Sequence, residues 1–162
     1  MEFSIKSGSP EKQRCGCVVV GVFEQRQLSL AAELLDNAAA GALSDILRRG
    51  DMDGKAGSTL LLHDLPQTQG ERVLLVGLGK EKDFHEQAYC AAIRSAVKAL
   101  RATGATDATL YLTTVPLRKR SAAWKIRQAA IVAQEVLYRF DAFKKPEDTP
   151  RPLNHLAFAI DT

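Results

Sequence analysis

The sequence predicts an α/β layered fold with a largely parallel or mixed central sheet. Three observations carry that expectation. Strand-like and helix-like segments alternate along the chain. The stretches Cys17-Val18-Val19-Val20-Gly21-Val22-Phe23 and Arg72-Val73-Leu74-Leu75-Val76-Gly77-Leu78-Gly79 are near-continuous apolar runs, and a strand with no polar face is one covered on both sides. Two long segments, Phe84 to Thr103 and Ser121 to Phe140, carry apolar residues at helical spacing.

In chain order, Phe3-Ser4-Ile5-Lys6 alternates and predicts a short edge strand, followed by a turn at Ser7-Gly8-Ser9-Pro10. After the first buried strand, Leu28 to Arg49 is helical in composition. Ser29 is placed to cap it, Leu30, Leu34 and Leu35 are expected to form its apolar face, and Gly41 is expected to break it. Leu43, Ile46 and Leu47 give a second helix face, which Gly50 ends. A glycine-bearing loop from Asp51 to Gly57 leads to a strand at Ser58 to His63. A second loop, Pro66 to Gly70, leads to the buried strand that starts at Arg72.

The helix from Phe84 has a small-residue surface of Ala88, Ala91, Ala92, Ala96 and Ala99, with Ile93, Val97 and Leu100 as bulk; Gly104 stops it. Ala108 to Leu112 reads as a strand. The last long helix is expected to bury Trp124, Ile126, Ala130, Ile131, Ala133, Val136 and Leu137. Lys144 to Pro152 is a proline-rich connector, and Asn154 to Ile160 alternates as a final strand. The chain ends abruptly after that strand, which leads us to expect a fragment of a longer protein.

A length of 162 residues fits one domain. Hydrophobic residues at 46% and charged residues at 25% are enough for a packed core, which argues against intrinsic disorder. A net charge of +3 is too small to imply nucleic acid unless it is clustered. The cysteines Cys15, Cys17 and Cys90 make neither a disulfide framework nor a CxxC motif. The first two are expected as small residues entering a strand and Cys90 as a helix packing residue. No run approaches a membrane span and no signal peptide opens the chain, so a cytoplasmic protein with no membrane partner is expected.

Chemistry is sparse. His63, His85 and His155 are far apart, with no HExxH and no carboxylate cluster at ligand spacing, so no metal or catalytic residue is assigned to this chain. No GxSxG elbow is present. Two features remain. The turn Val76-Gly77-Leu78-Gly79-Lys80 follows a strand and precedes a helix, where backbone N–H groups could hold a phosphate. Gly77, Gly79 and Lys80 are therefore ligand-loop candidates, although the same glycines would serve to leave a strand tightly. The second feature is basic: Arg118, Lys119, Arg120, Lys125 and Arg127 gather before and within the start of the last long helix, and no acidic residue lies between Val115 and Gln134. Cations there oppose the helix dipole. A surface for DNA phosphates explains them, and so does a solvated face.

Several segments, in order, resemble one family. They are Met1-Glu2-Phe3-Ser4-Ile5-Lys6-Ser7-Gly8-Ser9-Pro10, Val19-Val20-Gly21-Val22-Phe23-Glu24, Leu47-Arg48-Arg49-Gly50 and Thr59-Leu60-Leu61-Leu62-His63. Gly77-Leu78-Gly79-Lys80-Glu81, Trp124-Lys125-Ile126-Arg127-Gln128-Ala129 and Tyr138-Arg139-Phe140-Asp141 continue the series. Together they are similar to the amino-terminal domain of the bacterial leucyl (cytosol) aminopeptidases. The resemblance spans residues 1–162 and implies a macro-domain-like, three-layer α/β/α fold with a mixed sheet. It implies a carboxy-terminal catalytic domain with two divalent metals, manganese or zinc, and that domain's signature Asn-Thr-Asp-Ala-Glu-Gly-Arg-Leu is absent here. It also implies a homo-hexamer when full length, in which this domain assists assembly or active-site access, and DNA binding in some bacterial members. ADP-ribose is a further ligand that a macro-like fold suggests.

Overall fold

Val18, Val20 and Val22 point to one side of the sheet, and Val19 and Phe23 to the other, and all five are buried. That is the physical meaning of a strand with no polar face: each side meets its own hydrophobic core. The computed structural model describes residues 1–142 and 152–161. Its strands are β1 (Glu2–Lys6), β2 (Val18–Phe23), β3 (Gln27–Leu28), β4 (Thr59–His63), β5 (Arg72–Gly79), β6 (Asp107–Leu110) and β7 (His155–Ala159). Its helices are α1 (Leu30–Ala38), α2 (Ala42–Arg48), α3 (Glu86–Arg101) and α4 (Ala122–Ala142). Among the described residues, no helix is long and apolar enough to cross a membrane.

The sheet order is β1-β7-β6-β2-β5-β4, with β3 paired to β2 off that path. Strands β1, β7, β6, β2 and β5 run parallel, while β4 and β3 are antiparallel to their neighbours. The sheet is therefore mixed, and β1 is an edge strand, as its alternation predicts. Helices α3 and α4 cover one face over a core that includes Val19, Leu74, Ile93, Leu110, Val132 and Phe158. The other face is covered by α1 and α2, over Val18, Val20, Leu35, Leu43, Leu47 and Leu75. This is the three-layer α/β/α arrangement expected. All five parallel strands end at one rim, where an α/β sheet commonly holds its ligands.

Local chemistry accounts for the helix ends. The Ser29 side chain accepts the Ala32 N–H at the start of α1. Gly41 sits at φ 85° between α1 and α2, a left-handed position that glycine tolerates. With no side chain of its own to cap α2, Gly41 leaves that task to Asp36, whose carboxylate accepts the Ser44 N–H at 3.0 Å and its hydroxyl at 2.5 Å.

Several expectations need correction. Leu30 and Leu34 are not part of the buried face of α1: they are 69% and 42% exposed, and Ala31, Ala32, Leu35 and Ala39 face the sheet instead. Alanines let the short helix lie close on the valines of β2. The row that packs is thus one residue round from the leucine row. Ala91 is exposed on α3, and Ile131 is 41% exposed on α4, where Ala129 and Val132 take the buried positions. Strand β6 ends at Leu110, because Leu112–Thr114 form a 3-10 turn. A 3-10 turn at Glu81–Asp83 precedes α3. The connector expected from Lys144 lies outside the described residues as far as residue 151.

Candidate functional site

The ligand-loop candidates lie at the rim, where β5 ends, but their donors are occupied. The Gly77 N–H donates to the Ser58 carbonyl at 2.8 Å, and the Gly79 N–H donates to the Gly54 carbonyl at 2.9 Å. A Cβ on Gly77 would overlap the Lys55 carbonyl oxygen and Ser58 Oγ. These glycines therefore exist to let residues 54–58 lie against β5, and a phosphate would find no free N–H on either. Lys80 is exposed in an open groove with Glu24, Asp53, Glu81 and Lys82. Three carboxylates around two ammonium groups make a poor seat for an anion.

The basic cluster is divided. Arg118 and Lys119 are exposed on the connector before α4, and Lys119 adopts φ 64°. Arg120 is held: its Nε donates to Glu86 Oε1 at 2.6 Å, and its guanidinium lies 4.8 Å from the centre of the Trp124 ring. With Asp83, His85 and Glu86, these three cations line a broad groove at the start of α3. Arg127 is exposed on α4.

Lys125 departs from the expectation of a surface cation. It is 8% exposed, and its Nζ donates to the Val115 carbonyl at 3.0 Å. Burial pushes its pKa down, against the opposing pull of the Asp161 carboxylate. Its own carbonyl accepts the Tyr89 hydroxyl at 2.6 Å, and burial raises that phenol's pKa. Lys125 and Tyr89 thus pin the first turn of α4 to α3 and to the preceding turn. The position that looked like a cation opposing the helix dipole is an internal tie.

Other cations are closer to α4 in space than in sequence. Arg94 and Lys98 on α3 share a groove with Glu135, Val136 and Arg139 on α4. The spacing of Arg94 to Lys98 and of Glu135 to Arg139 is one helical turn, so charge patterning along each helix was the signal available.

The thiols are inert. Cys15 and Cys17 are buried and Cys90 is half-buried, and all are free. Burial raises all three, Cys17 to about 12, so none is poised as a thiolate. His63 ends β4, His85 precedes α3, and His155 Nε2 lies 2.7 Å from Ser4 Oγ. Among the described residues, no three His, Cys, Asp or Glu side chains come together as a metal-binding set.

Comparison with known proteins joins this geometry to a family. A family model described as "Cytosol aminopeptidase family, N-terminal domain" matches residues 19–147. A "Probable cytosol aminopeptidase" of Dechloromonas aromatica (strain RCB) is 62% identical over 162 residues, covering 99% of this chain and 32% of the relative. A tomato leucine aminopeptidase shares the fold with a TM-score of 0.74 at 21% identity, over 99% of this chain and 32% of that one. The macrodomain of Mycobacterium tuberculosis DarG does so with a TM-score of 0.68 at 10% identity, over 99% of this chain and 98% of that one. The fold is therefore macro-domain-like, and the chain spans about a third of the length of the curated relatives it matches. With residues 19–147 matched by that model and nearly two-thirds of its positions shared with an aminopeptidase, the chain belongs to the cytosol aminopeptidase family and corresponds to its N-terminal domain.

Proposed function

We propose that this chain is the non-catalytic domain of a leucyl aminopeptidase that depends on two divalent metals, manganese or zinc. The metals and the reacting groups belong to a carboxy-terminal catalytic domain. The full-length protein is a cytoplasmic homo-hexamer, and this domain assists its assembly or controls access to its active sites. The observation that carries this reading is the match of residues 19–147 to the N-terminal domain of the family, within relatives three times as long. The residues described here do not fit the metals, so no step of peptide hydrolysis is assigned to them. The test is hydrolysis of leucyl-p-nitroanilide by the purified chain with manganese or zinc added. No turnover is expected, and metal-dependent turnover by the chain alone overturns the reading.

A second reading, a DNA-binding module, rests on one observation: Arg118, Lys119 and Arg127 stay exposed in the same layer as Arg94, Lys98 and Arg139. A duplex would be held through its phosphates, without base readout. Lys125 does not take part, because it is buried. Each phosphate neutralised releases counterions, so four contacts would weaken binding by roughly a hundredfold between about 50 and 200 mM salt. The double substitution Arg118→Ala and Lys119→Ala should weaken binding to every sequence alike. Unchanged affinity in that variant removes the reading.

A further inference from the structure

We infer that β4 is the contact through which two copies of this chain pair, edge to edge and antiparallel, about a two-fold axis at Leu61. The sheet ends on one side at β1 and on the other at β4, and the two edges are guarded differently. Strand β1 carries Glu2 and Lys6 at its ends, and charged residues keep an edge from pairing with other chains. Strand β4, Thr59-Leu60-Leu61-Leu62-His63, has no Lys, Arg, Asp, Glu or Pro. Its three leucines are only half-buried. Leu61 lies against the core under α3 and α4, and Leu60 and Leu62 lie against the core under α1 and α2.

The register with β5 shows which backbone groups are open. The Gly77 N–H donates to the Ser58 carbonyl at 2.8 Å, so residues 58 and 77 form a hydrogen-bonded pair. Such pairs alternate along an antiparallel ladder, which makes Leu60–Leu75 and Leu62–Val73 the next two. The N–H and C=O groups of Thr59, Leu61 and His63 therefore point away from β5. Among the described residues no other strand or loop takes them up.

The symmetry of this row selects the occupant. A strand that fills it must offer N–H and C=O groups at every second residue and apolar side chains on both faces, because the edge borders both cores. A second β4 does both. Turned about Leu61, it sets Thr59 opposite His63 of the second copy and Leu61 opposite Leu61, each pair exchanging two hydrogen bonds. Leu60 then meets Leu62 of the second copy on one face, and the two Leu61 side chains meet on the other. The charges are compatible too: the carboxylate just beyond each strand, Asp64, falls at the opposite end of the pair from its counterpart. One sheet then runs through both copies in an isologous contact. It needs only this chain, so it does not depend on the aminopeptidase reading. A five-residue strand covers less than the roughly 800 Å² per partner of a stable interface, so the dimer of this chain alone is weak and forms with rising concentration.

The test is sedimentation equilibrium of the chain from about 10 μM to about 1 mM, the range of a weak contact, with residue-resolved amide exchange at both ends of that range. A monomer–dimer equilibrium is expected, and the amides of Thr59, Leu61 and His63 should slow most as the dimer forms. The double variant Thr59→Glu, His63→Glu sets like charges opposite each other in both outer pairs and should weaken the dimer about tenfold. Thr59→Lys with His63→Glu sets opposite charges there and should restore it. Both positions are exposed, so the melting temperature of the dilute chain should be similar in the two variants. A chain that stays monomeric throughout overturns the inference. So does a dimer equally tight in both variants, because the contact then lies elsewhere. Protection of Thr59, Leu61 and His63 that is independent of concentration also overturns it, because the edge is then covered within one chain.

Discussion

The two helical layers solve the same problem with different means. On one face α1 and α2 are 9 and 7 residues long, and on the other α3 and α4 are 16 and 21. The long pair tie themselves together through Tyr89 and Lys125 and present Arg94, Lys98, Arg127 and Arg139 to water. The short pair are joined through Asp36 and Ser44 and expose Leu30 and Leu34 on α1, with the Asp45–Arg48 ion pair on α2. A helix that covers its core fully can give its outer face to charge. A short helix that meets the sheet through alanines leaves its larger side chains outside. Neither outer surface is of one kind: the long pair also expose Ile131 and Tyr138, and the short pair also expose Arg48 and Arg49.

Core truncation is the largest lever on this contrast. Ile93→Ala, under the long pair, should cost about 3–4 kcal/mol and lower the melting temperature by roughly 10 °C. Leu35→Ala, under the short pair, should cost about 2–3 kcal/mol, because a two-turn helix can settle into the space it leaves. Both residues are fully buried, so equal losses in thermal unfolding would break the comparison.

Lys125 comes next. Its folded pKa lies below the unfolded value of 10.5. Below the folded pKa both states carry the charge, and the burial cost is fully present. As pH rises through the folded pKa, the folded state sheds its proton first and stability is regained. Relative to Lys125→Met, the wild-type chain should therefore gain stability as pH rises through the folded pKa toward the unfolded value of 10.5. Urea midpoints for the two proteins that stay parallel across that range would show that the ammonium is still hydrated.

The smallest effect belongs to Glu86→Gln. The Arg120–Glu86 pair is about half exposed on its acidic side, so its loss should cost no more than about 0.5 kcal/mol in denaturant unfolding. The useful outcome is a changed charge, since freeing Arg120 should strengthen any binding to duplex DNA at low salt.

What was legible in the sequence follows from where the causes lie. Strands β2 and β5 and both long helices are written locally, in β-branched runs and helical spacing, and they appear where expected. The exposure of Leu30 and Leu34 is not local: 30/34 and 31/35 are both helical rows, and only the flat valines of β2 decide between them. Gly77 and Gly79 allow a phosphate loop or a tight exit from the strand, and the choice is made only when residues 54–58 arrive from another part of the chain to accept their hydrogens. Arg120 looks isolated because its carboxylate partner is 34 residues away. Lys125 reads as a surface cation because nothing beside it in sequence announces the Val115 carbonyl ten residues back. In each case the surroundings that decide a residue's role come from elsewhere in the chain.

The pairing of β1 sets a schedule for synthesis. Among the described residues β1 joins the sheet through β7 alone, with Glu2 opposite His155 and Lys6 opposite Ala159. On a ribosome, about 150 residues separate the two, so β1 waits roughly ten to thirty seconds after it is made before its partner exists. The β2–β5–β4 half is encoded between Val18 and Gly79 and can assemble long before that. Among the described strands β1 is thus made before the others and must wait for β7, and its short, charged-ended sequence, Glu2-Phe3-Ser4-Ile5-Lys6, suits a segment that must stay soluble while it waits.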